Sequence, residues 1–171
     1  DPKKIVFPEG EADKIVRAAK ILADEGICQP VLLGNAKKIQ MLLDEHEVPP
    51  DVVEVVDPLD DARAEDYAQK LFEMRWRHGV TEHSACKLLR DPVYFGNMMV
   101  HSNDADGLIA GLNHSYPETI RPALQIHKTL PGVHKAAGIY LLLFEDRMLF
   151  IADTTVNHDP NAEDLAEIAG M

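Results

Sequence analysis

Arg75 carries a charge where the surrounding pattern asks for none. At about 100° per residue, Ala64, Ala68, Leu71 and Arg75 fall on one stripe of a helix, the stripe that should face a core. A guanidinium there needs a partner. Either a carboxylate meets it in a buried ion pair, or its forked donors are presented beside a sheet to a phosphate or carboxylate ligand. Arg77 points to the opposite face and cannot act with it from a regular helix.

A second cation stands in the segment Gly111-Leu112-Asn113-His114-Ser115-Tyr116-Pro117-Glu118-Thr119-Ile120-Arg121-Pro122. An apolar run ends at Gly111 and leads into a helix whose start reads as a capping box, Ser115 at the cap and Glu118 three residues on. In open α/β sheets this junction is where backbone N–H groups and the helix dipole receive anions. Ser115, Thr119 and Arg121 are the side chains placed to serve such a site. The alternative is that Ser115 only caps the helix and Arg121 pairs with Glu118. Both readings stand.

Other chemistries are poorly supplied. None of the eight histidines is paired at the i, i+4 spacing that puts two imidazoles on one helix face, so no metal site is expected. Gly-x-Gly-x-x-Gly, a phosphate-cradling Gly-Lys-Ser loop and a Gly-x-Ser-x-Gly elbow are all lacking. Cys86, between Ala85 and Leu88, reads as a small buried hydrophobe. No catalytic residue is assigned.

The elements that must position these residues can be read from periodicity and punctuation. Lys4 to Phe7 is a strand, Ala12 to Glu25 a helix closed by Gly26, and Val31 to Leu33 a strand. Gly34-Asn35 then turns and caps a helix from Lys37 to His46, and Val52 to Val56 is a third strand. That alternation predicts a three-layer, open, mostly parallel sheet with crossover helices. Helices follow over Asp61 to His78, from Thr81 to Arg90, and from Asp91-Pro92 to about His101. Asp106 to Gly111 reads as a buried strand, and the Ser115 helix runs to about Lys128. Ala137 to Phe144 and Met148 to Asp153 form a β-hairpin around Glu145-Asp146-Arg147, and Asp159-Pro160 opens the last helix. The expected division is residues 1–133 as a first α/β subdomain and 134–171 as the hairpin and helix that begin a second.

Composition narrows the partners. The 171 residues, 46% hydrophobic and 27% charged, suit a folded chain of one domain or slightly more. The longest apolar run, Ile139 to Phe144, is far shorter than the roughly 20 residues of a membrane span. With 17 basic and 29 acidic residues the net charge is −12, a field that repels nucleic acid and leaves any anionic ligand to local cations. Two cysteines at unrelated positions imply free thiols, and with no signal peptide the expected location is the cytoplasm. The chain starts without Met and stops as a helical pattern begins, which suggests a segment of a longer chain.

Three strings, Asp106-Gly107-Leu108-Ile109-Ala110-Gly111, Thr119-Ile120-Arg121-Pro122-Ala123-Leu124-Gln125-Ile126 and Pro131-Gly132-Val133, resemble the phosphate acetyltransferase / phosphate butyryltransferase family. Val6 to Glu11, Arg75 to Thr81 and Asp91 to Val100 continue the likeness, which covers essentially the whole chain. It implies that Arg75 and Arg121 bind the phosphates of CoA or phosphate itself. It also implies that the family's catalytic serine, arginine and aspartate lie beyond this chain. Two departures, His114-Ser115-Tyr116-Pro117 for His-Thr-Thr and Asp153-Thr154-Thr155-Val156-Asn157 for Asp-Cys-Ala-Val-Asn, look like the C-terminal domain of bacterial hybrid NADP-dependent malic enzymes. The expectation that follows is a non-catalytic, regulatory acetyl-CoA-binding and oligomerisation domain. Its parent would oxidatively decarboxylate malate, with NADP and a divalent metal held elsewhere in that parent. The alternative is a phosphate acetyltransferase that moves acetyl between CoA and phosphate.

Overall fold

The computed structural model describes residues 2–129, 132–153 and 155–170. Pro131 of the Pro131-Gly132-Val133 string and Thr154 of the second departure lie outside the described residues.

Four strands, β1 (Lys3–Phe7), β2 (Cys28–Leu33), β3 (Glu54–Val56) and β4 (Gly107–Leu108), form one parallel sheet in the order β3-β2-β1-β4. Successive side chains of a strand point to opposite faces, and both faces are apolar. Val6, Val31, Leu33 and Val56 point to one side. They pack with Tyr67 and Leu71 of α3 (Ala64–Arg75), Ala85 of α4 (Glu82–Leu88), Phe95 and Met98 of α5 (Pro92–His101) and Ile126 of α6 (Tyr116–His127). Phe7 and Leu32 point to the other side, against Val16 and Ala19 of α1 (Asp13–Asp24) and Ile39 and Leu43 of α2 (Ala36–Glu45). The result is the expected α/β sheet with helices on both faces.

The chain steps from β1 outward to β2 and β3, then returns to the far side of β1 for β4. That reversal makes a topological switch point at the carboxyl ends of β1 and β4, the place where open parallel sheets leave a crevice for ligands.

Two elements near the switch point or its arginines differ from their sequence expectation in ways that bear on the site. The helix read over Asp61 to His78 begins at Ala64, because the Asp61 carboxylate accepts from the Arg63 N–H and guanidinium at 2.8 Å and holds a turn there. It also tightens into a 3₁₀ turn over Trp76–His78, ended by Gly79 at φ 85°. The strand read over Asp106 to Gly111 is two residues long and half-buried. It pairs only with Ile5 and Val6 before the chain turns away.

Residues Asp1–His127 form one compact unit and Lys128–Met171 another. In the second, β5 (Ile139–Leu143) pairs antiparallel with β6 (Met148–Ala152), with Leu141 opposite Phe150. Asn161, rather than Asp159, caps α7 (Ala162–Ala169) by accepting from the Asp164 N–H at 2.9 Å. Among the described residues no helix is long and apolar enough to cross a membrane.

Candidate functional site

The switch point is occupied from within. Glu9 follows β1 directly, and its residue is only 7% exposed. Its Oε2 accepts from the N–H groups of Gly111 at 3.0 Å and Leu112 at 2.9 Å. Its Oε1 accepts from the Asn113 N–H, from the His114 N–H at 3.2 Å and from His114 Nδ1 at 3.0 Å. Burial alone would push this carboxyl up, but the hydrogen bonds from Asn113, Leu112, His114 and Gly111 outweigh it and hold it down at about 2. A cavity of about 200 Å³ lies beside it, lined by Pro8, Glu9, Gly34, Asn113 and His114 among others. The junction that sequence pattern marks as an anion receiver therefore has its converging N–H groups, and they are already engaged by a carboxylate of the same chain.

The cations sit on the helices that follow. Arg75 is the last residue of α3, where the helix dipole favours a positive charge. It continues the stripe of Tyr67, Ala68 and Leu71, all buried, and its Nε is buried with no hydrogen-bond partner. Arg121 is exposed on α6, one turn before Gln125. Gln125 Oε1 accepts the hydroxyl of Tyr94 on α5 at 2.8 Å. Burial and Asp91 push the Tyr94 phenol up, while the charges of Arg121 and Arg75 both pull it down, so both guanidiniums lie within electrostatic reach of that one hydroxyl. Among the described residues, no carboxylate comes within 4 Å of either guanidinium. The structure thus shows neither the buried ion pair for Arg75 nor a close Arg121–Glu118 pair.

Ser115 and Thr119 are engaged inside their own helix start. The Ser115 N–H and Oγ–H both donate to Glu118 Oε2, at 2.8 and 2.7 Å, and Thr119 Oγ1 donates to the Ser115 carbonyl at 3.3 Å. Thr119 also lines a groove between α5, β4 and α6 together with Asn97, Leu108 and His127. In that groove His127 Nε2 lies 3.1 Å from Asn97 Oδ1, and burial, with His101 nearby, pushes the imidazole down.

Sequence reasoning missed Glu9 and Tyr94. Glu9 stands between Pro8 and Gly10 immediately after a strand of a parallel sheet, which places it at the ligand end of that sheet. Tyr94 sits in an almost wholly buried helix and gives no periodic signal, because residues on every side of α5 around it are buried. Among the described residues no group of His, Cys, Asp and Glu could hold a metal ion.

The sequence profile described as "Phosphate acetyl/butaryl transferase" matches residues 1–171. The chain belongs to that family. A phosphate acetyltransferase of Synechocystis sp. is 41% identical over 169 residues, 98% of this chain and 24% of its own length. That of Corynebacterium glutamicum is 39% identical over 165 residues, 96% of this chain and 50% of its own. A crystal structure of a phosphotransacetylase from Streptococcus pyogenes superimposes with a TM-score of 0.91 at 38% identity, over 98% of this chain and 51% of that one. The chain therefore spans from about a quarter to about half of the length of the relatives it matches.

These matches overturn the malic-enzyme reading. Relatives and structural neighbours across nearly the whole chain are phosphate acetyltransferases, and nothing in them supports an oxidoreductase or an NADP site. The two departures that prompted it carry little weight physically. In the second, Asp153 accepts from the N–H groups of Val156 at 3.2 Å and Asn157 at 3.1 Å. Asp153, Val156 and Asn157 are the positions where this chain and the Asp-Cys-Ala-Val-Asn pattern agree. In the first, Ser115, Tyr116 and Pro117 are exposed at a helix start, where side chains vary at little cost to the fold.

Proposed function

We propose that the chain works in phosphate acetyl transfer, moving an acetyl group between CoA and inorganic phosphate, with Arg75 and Arg121 holding phosphate oxygens. The observation that carries this reading is the pair of guanidiniums on α3 and α6 without close carboxylate partners among the described residues, the Nε of Arg75 buried and unpartnered. A guanidinium offers planar, forked donors matched to phosphate, and in a chain of net charge −12 such local cations must overcome the general repulsion of an anion. Ser115 and Thr119 would add hydroxyls at the start of α6 by giving up their bonds to Glu118 and to the Ser115 carbonyl. The relatives' name, phosphate acetyltransferase, supplies the substrate class. The protein is taken to be a cytoplasmic homo-oligomer that needs no redox cofactor.

The test is calorimetric titration of the chain with CoA. Arg121→Ala should weaken CoA binding by roughly 1.5–3 kcal/mol, the size of a charge-assisted hydrogen bond. Thermal stability should change little, because the side chain is exposed. Unchanged affinity accompanied by a large fall in melting temperature would place Arg121 in a structural role instead.

A further inference from the structure

The Gly111–His114 turn has the form of an anion-binding cradle, with four successive backbone N–H groups and one imidazole nitrogen aimed at a single carboxylate. Its occupant is a carboxylate from the far end of the sequence, more than a hundred residues away. The division of labour between the two oxygens is definite. Oε2 takes Gly111 and Leu112, and Oε1 takes Asn113 and the backbone N–H and ring Nδ1 of His114. The next residues are Ser115, whose N–H and hydroxyl bind Glu118, and then α6 with Thr119 and Arg121. Among the described residues no other side chain accepts a hydrogen bond from the backbone of this turn. Ile109 is tied by its N–H to the Val6 carbonyl at 2.9 Å, and from Gly111 to His114 the attachment to β1 passes through Glu9 alone.

We propose that Glu9 is a positioning residue for the phosphate site, acting as an internal anion that fixes the Gly111–His114 turn and through it the start of α6 and the place of Arg121. This deepens the functional reading above and rests on it for the ligand. One consequence is that the backbone cradle is closed to substrate phosphate, so that the anionic ligand is left to side-chain cations. A second is that neutralising Glu9 disturbs ligand binding without touching any ligand atom.

Glu9→Gln and Glu9→Ala separate these effects. The glutamine has one carbonyl oxygen and one NH₂, and the NH₂ cannot accept from an N–H. It can therefore satisfy only one of the two donor sets. By amide hydrogen exchange, either Gly111 and Leu112 or Asn113 and His114 should exchange at least tenfold faster, with the amides of β1 and β2 unchanged as the control for folding. The CoA dissociation constant should rise tenfold or more. In Glu9→Ala all four amides should lose protection, and added acetate, which offers a carboxylate to the vacated space, should restore both protection and CoA affinity at least fivefold where chloride of equal ionic strength does not. Unchanged exchange in both variants would overturn the proposal. Faster exchange with unchanged CoA affinity would overturn it equally, by making the tether purely structural. A wild-type chain that binds no CoA would defeat the functional reading itself and the positioning role with it, whereas wild-type binding with indifferent variants defeats the positioning role alone.

Discussion

A carboxylate held ionised in a buried site stores stability that acid releases. The Glu9 carboxyl titrates at about 2 in the folded chain against 4.5 for an ordinary glutamate. A depressed folded value means that the contribution is complete above the ordinary value and is lost as the pH falls through the window from about 4.5 to about 2. The size of the shift corresponds to roughly 3 kcal/mol at neutral pH, the scale expected for a buried carboxylate with several N–H donors. Urea denaturation at pH 7, 5 and 3 should therefore show Glu9→Gln costing most at pH 7, nearly as much at pH 5, and distinctly less at pH 3. Equal costs at all three values would mean that the charge contributes nothing. For Arg75 the absence of a close carboxylate among the described residues reverses the usual penalty for removing a buried charge. Arg75→Met leaves no carboxylate stranded and removes an Nε that has no partner, so its melting temperature in the absence of ligand should equal or exceed that of the unaltered chain. Arg75→Lys should keep the fold and lose CoA affinity, since an ammonium cannot reproduce the fork. A loss of 3 kcal/mol or more in the Met variant, by the scale of a broken buried pair, would show that Arg75 has a partner after all.

At the scale of elements, the packing of α5 on the sheet is set by a residue with no side chain. A Cβ built on Gly96 would lie 2.6 Å from Leu108 Cδ1, 3.0 Å from Val6 Cγ1 and 3.2 Å from Leu33 Cδ1, on three different strands. Gly96→Ala forces Leu108, Val6 and Leu33 to repack or α5 to move off the sheet, at a cost of about 1–3 kcal/mol for overpacking. Because α5 also carries Tyr94, CoA affinity should fall with it. Chemical denaturation and calorimetry on the same sample check both, and a stable variant would mean that the three side chains can rearrange. Most boundaries here were legible in the sequence because they are local. Asn35, Thr81 and Asp91 cap their helices through their own side chains, and Gly26 and Gly79 end theirs with positive φ. The hold of Glu9 on the turn after β4 was not legible, because it is a contact across more than a hundred residues that no window of sequence contains. The same separation explains the site. Arg75 was visible as a charge out of place and Arg121 as a cation just inside a capped helix, but their shared influence on Tyr94 depends on how α3, α5 and α6 pack.

The whole molecule has two units with opposite relations to water. In the first, both faces of the sheet are covered by helices. In the second, every residue of β5 and β6 is exposed although nearly all are apolar, with Leu143 at 71% and Phe150 at 70%. Because side chains alternate, Leu141 and Phe150 fall on one face of the hairpin and Tyr140 and Ile151 on the other. A lone two-stranded ribbon is marginal in water, and apolar surface on both of its faces is an association surface rather than a solvent surface. The chain by itself should therefore self-associate through this hairpin. Sedimentation velocity at rising concentration should show a growing share of dimer or larger species, in spite of the net charge of −12 that opposes it. The double substitution Leu141→Lys with Phe150→Glu puts an opposite-charge pair at directly opposed positions, which keeps the cross-strand pairing while removing apolar area. It should lower the share of associated species at a given concentration and leave the denaturation of the first unit unchanged. A monomeric unaltered chain, or a variant that associates as before, would show that the apolar ribbon is satisfied within one chain.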